Sequence, residues 1–105
     1  MFWEREKMET FVHKPKVKIL LYLFMNEGKK KNMTQIRRAT GVGEGYNDKI
    51  MHNFKRQNLI EMKKRPDAKN TYNITLTEKG KSIAQLLFEI HVIVEKGKNN
   101  YSSKR

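Results

Sequence analysis

The chain has 105 residues, enough for one small domain with a modest core. It carries 23 Lys and Arg residues against 11 Asp and Glu residues, a formal net charge of +12, and it contains no cysteine. The lack of cysteine excludes disulfides and thiolate metal sites and makes a cytoplasmic location the default, while the longest apolar run, Ile19–Met25, is too short to cross a bilayer.

The first fourteen residues form an N-terminal arm rich in aromatic side chains. Phe2, Trp3 and Phe11 are spaced so that part of this arm suits an amphipathic helix. A small protein seldom leaves such side chains in water. We therefore expect the arm to pack against its own domain or across a dimer, and the sequence leaves these two alternatives open.

A strongly apolar helix is predicted at Val17–Asn26, with Pro15 in its first turn. Apolar residues fall on two of its faces, which predicts burial on two sides. This segment is therefore expected to be the core helix of a domain that spans residues 15–76. Gly28 is well suited to the turn that closes the helix.

A short second helix is predicted at Thr34–Thr40, with Thr34 as its N-cap. Ile36 and Ala39 are expected to point inward, and Gly41 to adopt the left-handed turn that follows. The side chains expected to point outward, Gln35, Arg37 and Arg38, are of types that can bond the bases and phosphates of DNA.

A third helix is predicted from about Glu44 to Asn58, with one apolar and one polar face. The polar side chains can bond base edges and phosphates, since Arg and Lys pair with guanine and Asn with adenine. An ordinary solvated face explains this helix almost equally well when it is considered alone. The residues expected to contact DNA are Tyr46, Asn47, Lys49, His52, Asn53 and Arg56.

Two short strands are predicted next, at Leu59–Met62 and Thr71–Leu76, because apolar and polar residues alternate in both. The segment between them, residues 63–70, is basic and turn-prone, so it cannot contribute to a core. Such a hairpin tip can instead reach along DNA to a phosphate row or a neighbouring groove. The residues expected to do so are Lys63, Lys64, Arg65 and Lys69.

A long final helix is predicted at Glu78–Lys96, with Thr77 as its N-cap and Gly97 at its end; residues 98–105 are expected to be a frayed basic tail. Both sides of this helix are apolar, so one can cover the domain while the other needs a partner. A homodimer through residues 77–97 is the favoured explanation, and cover by the N-terminal arm of the same chain is the alternative. The residues expected at the dimer interface are Phe2, Trp3, Phe11, Ile83, Leu87, Phe88, Ile90, Val92 and Val94.

Three short motifs carry a resemblance to a known family: Thr40–Val42 at the corner, Leu59–Ile60 after the third helix, and Ile74–Gly80 (ITLTEKG) after the hairpin. With the order helix, helix, helix, hairpin, helix, the chain resembles winged-helix transcription regulators of the MarR type and small archaeal or archaeal-virus winged-helix proteins. The resemblance implies an α+β fold, with a three-helix core, a two-stranded wing and a long C-terminal dimerisation helix. It also implies that the polar face of Tyr46–Arg56 enters the major groove and that Lys63–Lys69 contacts the minor groove or the backbone.

The distribution of charge supports a polyanionic partner. Residues 28–70 hold twelve Lys and Arg residues against four acidic ones, so +8 of the +12 lies there. The favoured function is a double-stranded DNA-binding transcription regulator that acts as a homodimer. The alternatives are a nonspecific architectural DNA-binding protein and a winged-helix protein-interaction module.

An enzyme is not expected from this sequence. His13, His52 and His91 are far apart in the sequence, and the chain has no cysteine to join them as a ligand. The glycines of Gly41–Gly45 lack the Lys-Ser/Thr ending and the preceding strand of a phosphate-binding loop. No catalytic residue, metal or cofactor is therefore predicted, and the sequence identifies no small-molecule effector.

Overall fold

The computed structural model describes residues 11–67 and 71–100, with side chains described up to Lys96. Helices and a two-stranded antiparallel sheet follow in the predicted order, so the expected α+β architecture is confirmed. The last helix continues through Gly97, where the sequence predicted its end. The elements are α1 (Pro15–Met25), α2 (Met33–Thr40), α3 (Glu44–Arg56), β1 (Ile60–Lys64), β2 (Tyr72–Leu76) and α4 (Glu78–Asn100).

The first helix, α1, is the centre of the core, as its two apolar faces predicted. Pro15 lies in its first turn, where a missing backbone N–H leaves no bond unmade. After the helix, the Asn26 side chain donates to the Tyr22 carbonyl at 2.8 Å, and Gly28 adopts a φ of +90°. The buried residues of α1 are Val17, Ile19, Leu20, Leu21 and Leu23, and the helix packs against α2, α4 and β2.

The second helix begins one residue earlier than predicted and has a different cap. The Asn32 side chain accepts from the Gln35 backbone N–H, and the Gln35 side chain accepts from the Asn32 N–H, both at 2.9 Å. This is a capping box, so Thr34 is not the cap. The inward face of α2 contains Ile36 and Thr40, four residues apart, and Ala39 is exposed, contrary to prediction.

The two strands pair in one register, with Ile60 opposite Leu76 and Lys64 opposite Tyr72. A single bridge adds a third segment, because the Ile74 N–H donates to the Lys31 carbonyl at 2.8 Å. The connector between α1 and α2 is thereby tied to the hairpin. Among the described residues, no helix is long and apolar enough to cross a membrane.

Candidate nucleic-acid interface

The corner between α2 and α3 has the predicted left-handed residue. Gly41 has a φ of +76°, and its N–H donates to the Arg37 carbonyl at 2.8 Å. Val42 is buried beneath the corner. The third helix starts at Glu44 with Gly43 as its N-cap, and glycine supplies no side-chain bond there. The two helices are therefore joined as a helix-turn-helix with a weakly capped second helix.

The inner face of α3 contains Ile50, Met51 and Phe54, all buried in the core. Asn47 belongs to the same face and is 0% exposed. Its Nδ2 lies 3.6 Å from the Met33 sulfur, and its Oδ1 has no hydrogen-bond partner among the described residues. The prediction that Asn47 contacts DNA is wrong, because Asn47 lies three residues before Ile50 and shares its inward direction.

The outer face of α3 presents polar side chains along one stripe. Tyr46, Lys49 and Arg56 are exposed and recur at intervals that place them on one side of the helix. Asn53 continues the stripe, is half-buried, and accepts a hydrogen bond from the Gln57 side chain at 3.1 Å. His52 is exposed beside them. These predicted site residues therefore share one solvent-facing surface.

The polar side chains of α2 are partly engaged with their neighbours. The Arg37 guanidinium donates to the Thr34 hydroxyl at 3.2 Å and lies 3.9 Å from the Glu44 carboxylate. The Gln35 oxygen is used by the capping box. Arg38 is exposed. Because exposed ion pairs contribute little to stability, Glu44 holds Arg37 only weakly.

The wing carries its cations on β1 as well as at its tip. Lys63 and Lys64 are exposed strand residues, where the sequence predicted a loop. The Arg65 guanidinium binds both carboxylate oxygens of Asp67, at 3.1 and 2.8 Å. This hydrogen bonding from Arg65 is the main reason that the pKa of Asp67 lies below its usual value. Lys69 lies outside the described residues.

The C-terminal end of α3 is closed by Asn58, which has a φ of +63°. The Leu59 N–H donates to the Phe54 carbonyl at 2.8 Å, and the Asn58 N–H to the Lys55 carbonyl at 3.0 Å. This pair of bonds is a Schellman motif with asparagine in the position that glycine usually takes.

The start of α4 lies directly against this helix end. Thr77 is the predicted N-cap, which is confirmed because its hydroxyl accepts from the Gly80 N–H at 3.0 Å. The same hydroxyl donates to the Asn58 carbonyl at 2.7 Å. The segment Ile74–Gly80 thus has a physical role that the sequence did not reveal, since its partners lie about twenty residues earlier in the chain.

The last helix presents an apolar face to solvent. Leu86 and Ile93 are 63% and 69% exposed, and their spacing of seven residues places them on one side of α4. Neither was among the expected dimer residues. Ile83 and Leu87, which were, pack against the chain's own core. A helical wheel separates Leu86 and Ile93 from Ile83 and Leu87, but it does not show which of the two faces the core covers.

The other described residues that were expected at the dimer interface are half-buried. Phe88 is half-buried, with its ring 5.6 Å from that of Phe24. The other half-buried members are Phe11, Ile90, Val92 and Val94, while Phe2 and Trp3 lie outside the described residues. Among the described apolar residues of α4, Leu86 and Ile93 are therefore the most exposed.

No family model matches the sequence, and no curated protein is detectably similar to it. Solved structures do resemble it. AF1382 from Archaeoglobus fulgidus superposes with a TM-score of 0.74 at 22% identity, covering 85% of this chain and 97% of that protein. Staphylococcus aureus MepR in its DNA-binding conformation also gives a TM-score of 0.74, at 19% identity, covering 95% of this chain and 72% of MepR.

The chain has a winged helix-turn-helix fold of the MarR type. Bordetella bronchiseptica BpsR shares this MarR-type fold at a TM-score of 0.67 and 13% identity, covering 79% of this chain. The chain spans only 58% of the length of BpsR. The resemblance predicted from the sequence is confirmed at the level of fold, and structural neighbours with that fold are transcription regulators.

Proposed function

We propose that the chain is a transcription regulator that binds double-stranded DNA as a homodimer in the cytoplasm. In this proposal the outer face of α3 enters the major groove, and the wing contacts the minor groove or the backbone. The observation that carries the proposal is the exposed stripe of Tyr46, Lys49 and Arg56 beside the exposed Lys63 and Lys64.

The charge of this surface supports nucleic acid as the partner. Most of the net charge lies in residues 28–70, which form the helix-turn-helix and the wing. Two of the four acidic groups in this stretch, Glu44 and Asp67, are held in exposed ion pairs that phosphates can replace. A protein-interaction module gives no reason for such a concentration of Lys and Arg.

The principal experiment measures mobility shifts of random-sequence duplex at rising salt concentration. If a dimer neutralises about six to ten phosphates, affinity should fall roughly 10³–10⁵-fold between 50 and 200 mM salt. Absence of binding at the lowest salt concentration would contradict the proposal.

A pair of variants separates sequence reading from simple charge attraction. Arg56→Ala should weaken binding to a selected site by about 1–3 kcal/mol at one base pair, while changing binding to random duplex less. Lys64→Ala should weaken binding to both duplexes alike. Equal losses on both duplexes from both variants would favour the architectural alternative.

The homodimer is supported by the apolar face of α4. Exposed Leu86 and Ile93 are the kind of side chains that a subunit interface covers. Sedimentation velocity should show a dimer at micromolar concentration and a monomer for Leu86→Glu. Gln85→Glu is the matched control, because Gln85 is exposed about 100° around the same helix. A monomeric parent protein would contradict the dimer.

A further inference from the structure

The end of α3 and the start of α4 are joined by several hydrogen bonds. Three consecutive carbonyl groups, those of Gln57, Asn58 and Leu59, accept hydrogen bonds from the start of α4. The Lys79 ammonium donates to Gln57 at 3.1 Å. Thr77 supplies the other two bonds, its hydroxyl to Asn58 at 2.7 Å and its N–H to Leu59 at 3.0 Å.

Gly80 allows this close approach of two backbones. A Cβ atom at position 80 would overlap the Leu59 carbonyl oxygen and crowd the side chain of Leu76. Glycine is therefore required at position 80 because the two backbones lie so close together. Its own backbone conformation does not require glycine, since its φ is not positive. The end of α3 and the start of α4 consequently contact each other without an intervening side chain.

We infer that Thr77 and Lys79 are positioning residues that fix the orientation of α3 relative to α4, and that they thereby set which half-site spacing the dimer accepts. This inference rests on the proposed function, because half-sites exist only for a dimer on DNA. Neither residue needs to contact DNA to have this effect.

The physical basis is the geometry of a dimer on the double helix. Two recognition helices bind half-sites about 34–36 Å apart, roughly one helical turn. One inserted base pair moves a half-site by about 3.4 Å and rotates it by about 35°. If α4 holds the two subunits together, a rigid α3–α4 junction prevents α3 from following a shifted half-site, so α3 loses contacts with the DNA. A loosened junction allows α3 to follow the displaced half-site.

The experiment starts from the full chain and a two-part site selected from a random duplex pool. Duplexes with one base pair inserted or deleted between the half-sites are then compared with the selected spacing. The quantity measured is the ratio of affinities for the selected and altered spacings. In Thr77→Val this ratio should fall about threefold or more, in the lower part of the range for residues that couple two elements.

Matched variants distinguish positioning from general damage. Thr77→Ser retains the hydroxyl and should restore the parental ratio. Thr75→Val makes the same change on the exposed side of β2 and should leave the ratio unchanged. Affinity for random duplex should be unchanged in all three, because the cations of α3 and the wing are intact.

Three outcomes would overturn the inference, and they can be distinguished from one another. A folded Thr77→Val dimer with the parental ratio overturns the inference alone. A parent chain that selects no two-part site overturns the proposed function together with the inference. If Thr77→Val does not fold, Lys79→Met provides the same comparison, since its exposed ammonium is removed while its apolar stem is kept; an unchanged ratio there overturns the inference equally.

Discussion

The two ends of α3 are attached to the domain in different ways. At the N-terminal end, Gly43 provides no side-chain cap, and the polar contacts to α2 are an exposed ion pair at 3.9 Å and the 3.6 Å contact between Asn47 and the Met33 sulfur. At the C-terminal end, Asn58 closes a Schellman motif, and Thr77 and Lys79 bond the last carbonyls. A recognition helix contacts base edges mainly through its N-terminal residues. The C-terminal end of α3 is therefore held by more hydrogen bonds than its N-terminal end, which is the end that would approach the bases in the proposed complex.

The largest expected effect comes from adding a methyl group at Gly80, where the start of α4 lies against the backbone that follows α3. Gly80→Ala places a methyl group on the Leu59 backbone carbonyl, so β1 or α4 must shift. We expect a loss of about 1–3 kcal/mol in the free energy of unfolding, measured by urea denaturation. Gly45→Ala is the control, because its Cβ meets open space, and alanine there should leave stability unchanged or raise it. Equal losses of stability from both variants would contradict the difference between the C-terminal and N-terminal ends of α3.

A smaller effect is expected from the backbone conformation of Asn58. Alanine tolerates a φ of +63° poorly, so Asn58→Ala should lower the free energy of unfolding by about 1 kcal/mol. Asn58→Gly should be neutral or stabilising, since glycine adopts this region freely. Thermal unfolding followed by circular dichroism would compare the two. If Asn58→Ala were more stable than Asn58→Gly, this would argue against the Schellman geometry.

The smallest effect on stability is expected at the N-terminal end of α3. Gly43 has an extended backbone that serine adopts, and a Cβ there meets open space. Gly43→Ser should therefore add a cap and raise the free energy of unfolding by a few tenths of a kcal/mol. The same urea titration measures it. A loss of stability would mean that this end is more constrained than its contacts indicate.

The sequence predicted the features that depend on neighbouring residues. The left-handed turn at Gly41 and the N-cap at Thr77 follow from the chemistry of a few adjacent positions, and both are confirmed. The cap of α2 was predicted two residues late, because Asn32 and Thr34 are both good capping residues. Local chemistry alone could not decide between them.

Other features depend on tertiary contacts that no local pattern contains. The bond from Lys79 to the Gln57 carbonyl joins residues 22 positions apart. Likewise, the composition of α4 predicted two apolar faces but not which of them the core would take, so Leu86 and Ile93 were missed. The DNA-facing residues remain predictions, with Asn47 removed because of its burial.

The burial of Asn47 has a consequence for how this helix can change over time. Its Oδ1 is buried and has no hydrogen-bond partner among the described residues, an arrangement that is generally unfavourable for a polar atom. Asn47 is buried, whereas Tyr46, Lys49 and Arg56 on the outer face of α3 are exposed. Substitutions at the buried Asn47 can therefore change folding stability without changing the exposed side chains that are proposed to bind DNA.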